Sequence, residues 1–339
     1  MPLHVEWEVL DLATRHAFHI ARQAAPPARR NVWVRVRAAD GLEGWGEAPA
    51  TPFYGETAET VLAVLPRLVP HLEEPWALER TERTLAGEIG RNPAARAALS
   101  AALHDLLGKR LGQPVWKLWG LEPRSPVSSF TLGIDTPEVM RAKLREAESY
   151  PVLKIKVGSA RDEEILQMIR DVAPDKTIRV DANTGWTASQ AIRALPMLEA
   201  YGVELVEQPV AKGDLQGMAR VRRASRIPVS ADESCEVASD VPRLAEAVDG
   251  VNIKLAKCGS LREAVRIVHT ARAHGLQVML GCMVESTLGI AAALQLAPLV
   301  DYVDLDGAAL LANDPFTGPG LEPDGSVRFN TEPGLGVRR

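Results

Sequence analysis

The chain has 339 residues, 46% of them hydrophobic and 24% charged, and its formal net charge is −5. This is the composition of an ordinary globular protein, and its length favours two domains. The negative charge, the lack of a basic patch with interleaved aromatic residues and the lack of any apolar stretch of roughly 18 residues predict no nucleic-acid partner and no membrane span.

Residues 1 to about 50 have the pattern of a β-meander. The segments WEVLDL, NVWVRVRAAD and GLEGWGEA are rich in β-branched and aromatic residues, and Asp40-Gly41 marks a tight turn between the last two. The intervening HIARQAAPPARRN contains paired prolines and arginines and is predicted to be a loop. Further on, AARAALSAALHDLLGKRLG has apolar residues at helical spacing, so the first third is predicted to be α+β.

From about residue 126 to 306, short apolar runs alternate with amphipathic segments. This alternation predicts parallel strands joined by helices in an α/β fold, and eight such units can close into a barrel. An open doubly wound sheet is the alternative, but no glycine-rich phosphate loop follows the first strand. The strand candidates are VSSFTLG, LKIKV, IRVDA, VELVE, PVSAD, GVNIKL, QVMLG and YVDLD. Helices are predicted at PEVMRAKLREAES, RDEEILQMIRDV, TASQAIRALPMLEAYG, SLREAVRIVHTARAHG and ESTLGIAAALQLA.

Three carboxylates end the third, fourth and fifth of these strands: Asp181, Glu207 and Asp232. The carboxyl ends of neighbouring barrel strands lie at one mouth, where barrels of this kind perform their chemistry. Three hard oxygen ligands there suit Mg²⁺, which keeps its other positions for water or substrate oxygens. The alternative interpretation is that each acid caps the helix that follows its strand.

Lysines accompany these acids on the second and sixth strands. Lys154 and Lys156 are two residues apart in LKIKVG and therefore share one face, whereas Lys254 ends the strand across the barrel. A nearby cation lowers the pKa of a lysine, so Lys154 and a metal ion would both favour Lys156 as a base. Structural salt bridges between these lysines and the three acids are the alternative interpretation.

A second acidic pair, Asp304 and Asp306, lies at the end of the eighth strand in DLDG, again on one face. No cationic residue lies near the pair in the sequence, so it is a candidate receptor for a cationic group of a ligand, such as an ammonium. The alternative is a solvated turn with a helix cap. None of the seven histidines falls at a predicted strand end, and no Gly-x-Ser-x-Gly motif occurs.

A divalent ion with an ammonium beside it stabilises the enolate that forms when a carboxylate loses its α-proton. Two lysines on opposite faces of that carbon could remove the proton on one side and return it on the other. This would invert a stereocentre.

These motifs give the chain a resemblance to the enolase superfamily, within its muconate-lactonizing subgroup. The sequence contains WGEA, LKIKVG, DANTGW, VEQP, ADES, NIKLAKCG and PGLG in the expected order along nearly the whole chain. Lysine on the sixth strand separates this subgroup from the mandelate-racemase-like one. The resemblance implies a modified (β/α)7β barrel over residues 119–319 and an α+β capping domain over residues 1–118, joined by the tail 320–339.

Within the subgroup, the DLDG segment is similar to that of the dipeptide epimerases, typified by L-Ala-D/L-Glu epimerase. In those enzymes the two aspartates hold the substrate's α-ammonium, and its C-terminal carboxylate binds the metal. The resemblance implies acid/base roles for Lys156 and Lys254 with Lys154 beside them, substrate contacts from Thr131, Cys282 and Met283, and supporting positions behind the metal ligands for Asn183 and Glu233.

The segment from His16 to Gln23 is expected to cover the substrate's side chain. Ala-Glu epimerases carry an arginine in this loop for the glutamate carboxylate, whereas this chain has Gln23, with Arg22 one position before it. The resemblance therefore implies a dipeptide substrate without implying the Ala-Glu pair.

The resulting hypothesis is a Mg²⁺-dependent dipeptide epimerase that inverts the α-carbon of the C-terminal residue through a metal-stabilised enolate. We expect one Mg²⁺ per subunit, with Mn²⁺ as a substitute, and a homo-oligomer. The three cysteines are odd in number and far apart, which favours a cytoplasmic protein without disulfides. The alternatives are an o-succinylbenzoate synthase, an N-acylamino-acid racemase or a muconate cycloisomerase, or a ligand-binding barrel without catalysis.

Overall fold

The computed structural model describes residues 3–21 and 28–339. The chain begins with an antiparallel sheet of three strands, β1 (His4–Leu12), β2 (Arg29–Arg37) and β3 (Glu43–Ala48), as predicted. The turn at Asp40-Gly41 is also confirmed, since Gly41 has a φ of 86°. The prediction of a loop through residue 31 was wrong at its end, because β2 already begins at Arg29.

Side-chain alternation along β2 gives this sheet two different faces. Val32, Val34 and Val36 are buried in a core shared with the helices of the first third. On β3, a Cβ added at Gly44 or Gly46 would lie about 2 Å from a backbone oxygen of the longest helix. The glycines of GLEGWGEA therefore let the sheet lie directly on that helix. The helices are α1 (Ala58–Leu68), α2 (Leu78–Glu88), α3 (Pro93–Leu111) and α4 (Val115–Leu118).

All eight predicted barrel strands are present, and each pairs in parallel with its neighbours in chain order. A parallel bridge between Ser128 and Val303 connects the two edges of the sheet, and Ser129 N donates to Val303 O at 3.0 Å. The sheet is therefore a closed barrel rather than an open doubly wound sheet. The strands are β4 (Phe130–Leu132), β5 (Val152–Lys156), β6 (Thr177–Asp181), β7 (Val203–Glu207), β8 (Val229–Ala231), β9 (Gly250–Ile253), β10 (Gln277–Gly281) and β11 (Tyr302–Asp304).

Each strand from β4 to β10 is followed by helix, whereas β11 leads into the tail. This arrangement is the predicted (β/α)7β barrel. Three of these helices were not predicted. Helix α8 (Leu215–Ala224) is short and rich in arginine and buries only Gly217, Met218 and Val221, whereas α9 (Val241–Leu244) and α10 (Leu255–Cys258) have four residues each. The barrel helices are α5 (Pro137–Glu146), α6 (Asp162–Val172), α7 (Ala188–Ala200), α8 (Leu215–Ala224), α9 (Val241–Leu244), α10 (Leu255–Cys258), α11 (Leu261–Ala273) and α12 (Thr287–Leu294).

The C-terminal tail contains a short hairpin and then packs against α3 and α4. Strands β12 (Gly320–Leu321) and β13 (Val327–Arg328) pair antiparallel. Beyond them, Leu335 N donates to Asp105 Oδ1 at 2.7 Å, and Trp116 Nε1 donates to Asn330 O at 3.1 Å. Across residues 3–21 and 28–339, every helix is too short or too polar to cross a lipid bilayer.

Candidate active site

The predicted site residues converge at the carboxyl ends of the barrel strands. Lys156, Asp181 and Glu207 are Cα partners on β5, β6 and β7, so they stand in one row at the barrel mouth. Asp232 directly follows β8, and Lys254 directly follows β9. The charged residues at the ends of successive predicted strands therefore lie at one level of the barrel.

Asp181, Glu207 and Asp232 form a buried cluster whose carboxylate oxygens lie within 4.8 Å of one another. Two amides support it: Asn183 N donates to Asp181 Oδ1 at 2.8 Å, and Asn252 Nδ2 donates to Glu207 Oε1 at 2.8 Å. Three hard oxygen donors in this arrangement fit Mg²⁺ or another hard divalent cation. The structure thus brings the three acids together, as their positions at the ends of neighbouring strands predicted.

Asn252 was missed by the sequence analysis. It lies on β9 two residues before Lys254, so both side chains face the barrel interior. A Cβ on Gly281 would approach Asn252 Oδ1 to 2.8 Å, so glycine on the neighbouring strand makes room for this amide. The signal was available in the sequence, because an asparagine at an interior position of a barrel strand requires polar partners.

The three acids differ in their affinity for protons. Burial raises the pKa of each, but Lys156 and Lys154 outweigh it at Asp181 and hold that pKa at about 2. Lys254 and Lys257 likewise hold the pKa of Asp232 well below its usual range. At Glu207, burial and the neighbouring Asp181 carboxylate raise the pKa to about 7. A divalent cation would favour the ionised form of all three.

The candidate base Lys156 reaches the acid cluster from β5. Its Nζ lies 2.6 Å from Asp181 Oδ2 and 5.9 Å from the centre of the Phe18 ring. Phe18 belongs to the described part of the loop predicted to cover the substrate. Lys143 Nζ donates to Ala17 O at 3.2 Å, and Ile134 N donates to His19 O at 3.0 Å, so this segment is attached to the barrel.

The second candidate base, Lys254, reaches the cluster from β9, four strands away from β5 in the sheet order. Its Nζ lies 2.8 Å from Asp232 Oδ2. Burial lowers its pKa, but the Asp232 carboxylate outweighs burial and raises the pKa above its ordinary value. In an eight-stranded barrel, positions four strands apart lie on opposite walls, so the two amines approach the site from opposite sides.

A further lysine, Lys257, was also missed. It lies on α10, one helical turn after Lys254, and is buried. Its Nζ donates to Asp232 Oδ1 at 2.5 Å and to the backbone oxygens of Asp232 and Asn252 at 2.6 and 2.8 Å. Lys257 thus fixes the position of Asp232. The spacing Lys-x-x-Lys in NIKLAKCG was the available signal.

Lys154 is enclosed by acids on several sides. Its Nζ lies 2.7 Å from Asp304, 2.8 Å from Glu207 and 3.3 Å from Asp181. Burial lowers its pKa, but these carboxylates raise it well above the ordinary value. Lys154 is therefore a fixed cation, and it accompanies the Asp304 and Asp306 pair although no cationic residue lies near that pair in the sequence. Closure of the barrel places β4 next to β11 and β5 one strand further, although these strands lie far from β11 in the sequence.

The two aspartates of DLDG are both buried at the cavity wall. Ser129 Oγ donates to Asp304 Oδ1 at 2.6 Å, and Thr131 N donates to Asp306 Oδ2 at 2.5 Å. Burial raises the pKa of Asp304, but Lys154 outweighs it and the net shift is downward. Burial and the Asp304 carboxylate raise the pKa of Asp306 to about 7. Among residues 3–21 and 28–339, no counter-ion pairs with Asp306 as Lys154 does with Asp304.

A cavity that is open to solvent joins these groups. Asp181 and Glu207 are buried and do not line it, and Gln23 lies outside the described residues. No histidine lines the cavity within residues 3–21 and 28–339, which agrees with the sequence analysis. The predicted site residues in its wall are Thr131, Lys154, Lys156, Asn183, Asp232, Glu233, Lys254, Cys282, Met283, Asp304 and Asp306.

Comparison with known families gives two matches that together cover most of the chain. Residues 5–120 match the mandelate racemase / muconate lactonizing enzyme N-terminal domain. Residues 139–338 match the enolase C-terminal domain-like family.

Individual relatives match this chain over most of their length. The L-Ala-D/L-Glu epimerase of Bacteroides thetaiotaomicron is 40% identical, with 97% of this chain and 86% of the relative covered. The hydrophobic dipeptide epimerase of Roseobacter litoralis is 36% identical, with 98% of each covered. The crystal structure of the dipeptide epimerase from Methylococcus capsulatus with Mg and L-Arg-D-Lys is 35% identical, covers 100% of both chains and has a TM-score of 0.94. The chain belongs to the mandelate racemase / muconate lactonizing enzyme family of the enolase superfamily.

Proposed function

We propose that this protein is a Mg²⁺-dependent dipeptide epimerase that inverts the α-carbon of the C-terminal residue. The observation that carries the proposal is the placement of Lys156 and Lys254 on opposite walls of one cavity, above a cluster of three buried acids. The names of the relatives support a racemase or epimerase acting on amino-acid derivatives.

The acid cluster is the proposed metal site, with Asp181, Glu207 and Asp232 as ligands. Mg²⁺ bound there supplies positive charge that favours removal of the proton next to the substrate carboxylate. Asn183, Asn252 and Lys257 hold the ligand carboxylates in place, and Glu233 lies beside Asn183, whose Nδ2 donates to Glu233 Oε1 at 3.3 Å. Mn²⁺ has similar ligand preferences and should substitute.

The proposed proton transfers use the two lysines. The neutral amine of one accepts the α-proton, and the ammonium of the other donates a proton to the opposite face of the same carbon. Lys154 keeps its charge, because its carboxylate neighbours raise its pKa, and it adds fixed positive charge near the developing negative charge. Reversal of the two roles converts the product back into the substrate.

The proposed recognition of the dipeptide uses Asp304 and Asp306 for the free α-ammonium. Thr131, Cys282 and Met283 line the same wall. An N-acylated amino acid or a lactone has no ammonium to offer these carboxylates, so the pair favours a dipeptide over those alternative substrates. We further propose that residues 1–118 and the tail 320–339 close the mouth over the barrel of residues 119–319, and that the protein is a homo-oligomer.

A library of L,L-dipeptides incubated with the protein and Mg²⁺ in D₂O tests the proposal directly. Mass spectrometry should detect deuterium at the α-carbon of the second residue, and chiral analysis should detect the epimer. N-acetylated members serve as the matched control. Absence of exchange with every dipeptide would contradict the proposal, and exchange of the N-acetylated members alone would favour an N-acylamino-acid racemase.

A further inference from the structure

One arginine of the capping sheet faces the active-site cavity. Side chains on β2 alternate between the barrel and the helices of the first third. Asn31 lies on the barrel face, where its Nδ2 donates to Val284 O at 3.1 Å, and Arg29 lies two residues before it on the same face. Arg30 lies on the other face and pairs with Glu59 and Asp11. Alternation therefore separates two adjacent arginines into one that lines the cavity and one that does not.

Arg29 is half-buried in the cavity wall and has no acidic partner. Burial alone lowers the pKa of its guanidinium, with no carboxylate of the described residues acting on it. The stretches outside the described residues, 1–2 and 22–27, contain no aspartate or glutamate. No acid of this chain is therefore available to Arg29, whose guanidinium nevertheless stays charged at any physiological pH.

The other cations that the described residues contribute to the cavity wall are all paired. Lys154, Lys156 and Lys254 each have a carboxylate oxygen within 2.8 Å. A guanidinium taken partly out of water without a counter-ion is costly, unless a ligand supplies the anion. The unpaired charge of Arg29 is thus a property of the binding site rather than of the fold.

The rest of the site restricts which anion this can be. In the proposed function, the substrate's main-chain carboxylate goes to the acid cluster and its α-ammonium goes to Asp304 and Asp306. A side chain is then the only part of a dipeptide that can carry a further charge. A carboxylate matches the planar guanidinium, which can donate two parallel hydrogen bonds to it.

We infer that Arg29 binds a side-chain carboxylate of the substrate, and that the substrate class is dipeptides containing aspartate or glutamate. This inference rests on the proposed epimerase function and adds specificity to it. The carboxylate can belong to the C-terminal or to the N-terminal residue. Relatives named for L-Ala-D/L-Glu and for hydrophobic dipeptides are 40% and 36% identical to this chain, so overall identity does not choose between an acidic and an apolar substrate side chain.

The test compares acidic dipeptides with their isosteric amides. The pairs are L-Ala-L-Glu with L-Ala-L-Gln and L-Glu-L-Ala with L-Gln-L-Ala, each measured as kcat/KM with Mg²⁺ for the wild type, Arg29→Gln, Arg29→Lys and Arg30→Gln. We expect the wild type to favour the acidic member of one pair by about 10- to 100-fold, the range for a hydrogen bond to a charged group. The pair that shows the preference identifies which side chain Arg29 contacts.

The variants separate recognition from folding. In Arg29→Gln the acid-to-amide ratio should fall to about 1, and Arg29→Lys should restore part of it. Arg30→Gln is the matched control and should keep the wild-type ratio. A wild type that turns over dipeptides without preferring either acidic member would overturn this inference alone, as would an unchanged ratio in Arg29→Gln. Failure to turn over any dipeptide would overturn the proposed function and this inference together.

Discussion

Lys154 Nζ lies 2.7 Å from Asp304 Oδ2, across a contact between residues 150 positions apart in the chain. The same ammonium lies 2.8 Å from Glu207 Oε2. One buried cation therefore serves both the acid cluster at the metal site and the aspartate pair at the substrate site. Its charge keeps Asp304 ionised, so that within the aspartate pair it is Asp306 whose ionisation depends on pH near neutrality.

Replacing Lys154 by methionine should destabilise the protein by about 3–5 kcal/mol, because it leaves buried carboxylates without their counter-ion. Denaturant unfolding without added metal measures the free energy of unfolding. Asp304→Asn should cost less in the Lys154→Met background than in the wild type, since the two side chains interact directly. Lys212→Met removes the exposed pair with Glu236 and is the control, with an expected change below about 1 kcal/mol. Strict additivity of the two buried changes would contradict this interpretation.

Loss of either proposed base should abolish epimerisation. Lys156→Ala and Lys254→Ala each remove one proton carrier, and we expect kcat to fall by about 10²- to 10⁴-fold or more. Polarimetry or chiral chromatography of a dipeptide that the wild type converts measures the rate. Circular dichroism shows whether each variant is folded, and Lys212→Ala serves as a surface control. Full activity in either lysine variant would exclude the two-base mechanism.

The position of the site was predictable from the sequence, but its internal pairing was not. The charged residues lie at the ends of successive predicted strands, and a closed barrel arranges those ends around one mouth. Asp181, Glu207 and Asp232 could therefore be identified from the sequence. The contact between Lys154 and Asp304 depends on barrel closure, which brings the last strand beside the first. Local periodicity carries no information about that contact.

The capping sheet shows a second limit of sequence analysis. Paired prolines and arginines indicated a loop up to Asn31, yet β2 begins at Arg29 because pairing with β1 extends to Leu12. Because β2 begins two residues before the predicted end of the loop, Arg29 is a strand residue that lines the cavity and not a loop residue. Helix α8 was missed for a related reason, since its few buried side chains leave little periodicity to detect.

Replacing either aspartate of the pair by asparagine should lower kcat/KM for dipeptides far more than for their N-acetylated analogues. Asp304→Asn and Asp306→Asn keep the shape of the side chain and remove its charge, so they weaken attraction for an ammonium that the analogue lacks. The measurement is the ratio of kcat/KM for a dipeptide and its N-acetyl derivative in each variant. Equal losses for both substrates would assign the pair a structural role.

The pH dependence of kcat/KM should contain a step contributed by Asp306. Its pKa of about 7 means that it is ionised above pH 7 and attracts the ammonium, and that it is protonated below pH 7 and does not. Wild-type kcat/KM divided by that of Asp306→Asn should therefore fall as the pH drops through about 7, by up to about tenfold per unit. A ratio that is constant between pH 5 and 9 would show that this ionisation does not affect binding.

Removal of divalent cations should abolish activity. The side-chain amide of Asn252, which donates to Glu207, should increase the affinity of the site for Mg²⁺. Asn252→Ala removes the hydrogen bond to Glu207 Oε1, and we expect Mg²⁺ to bind about 10- to 100-fold more weakly, as for other residues that orient metal ligands. Isothermal titration of Mg²⁺ into the metal-free protein measures this without reference to turnover. Asn31→Ala, on the capping sheet, is the comparison variant. Equal affinities for wild type and Asn252→Ala would remove the proposed role of this amide.

The central claim, that one lysine acts on each face of the α-carbon, is tested most directly by exchange in D₂O with single-lysine variants. Each variant is offered the L,L- and L,D-forms of a dipeptide that the wild type converts, and deuterium at the second α-carbon is followed by mass spectrometry. The account predicts that Lys156→Ala labels one form and Lys254→Ala labels the other, with configuration retained in both. Labelling of the same form by both variants would contradict it.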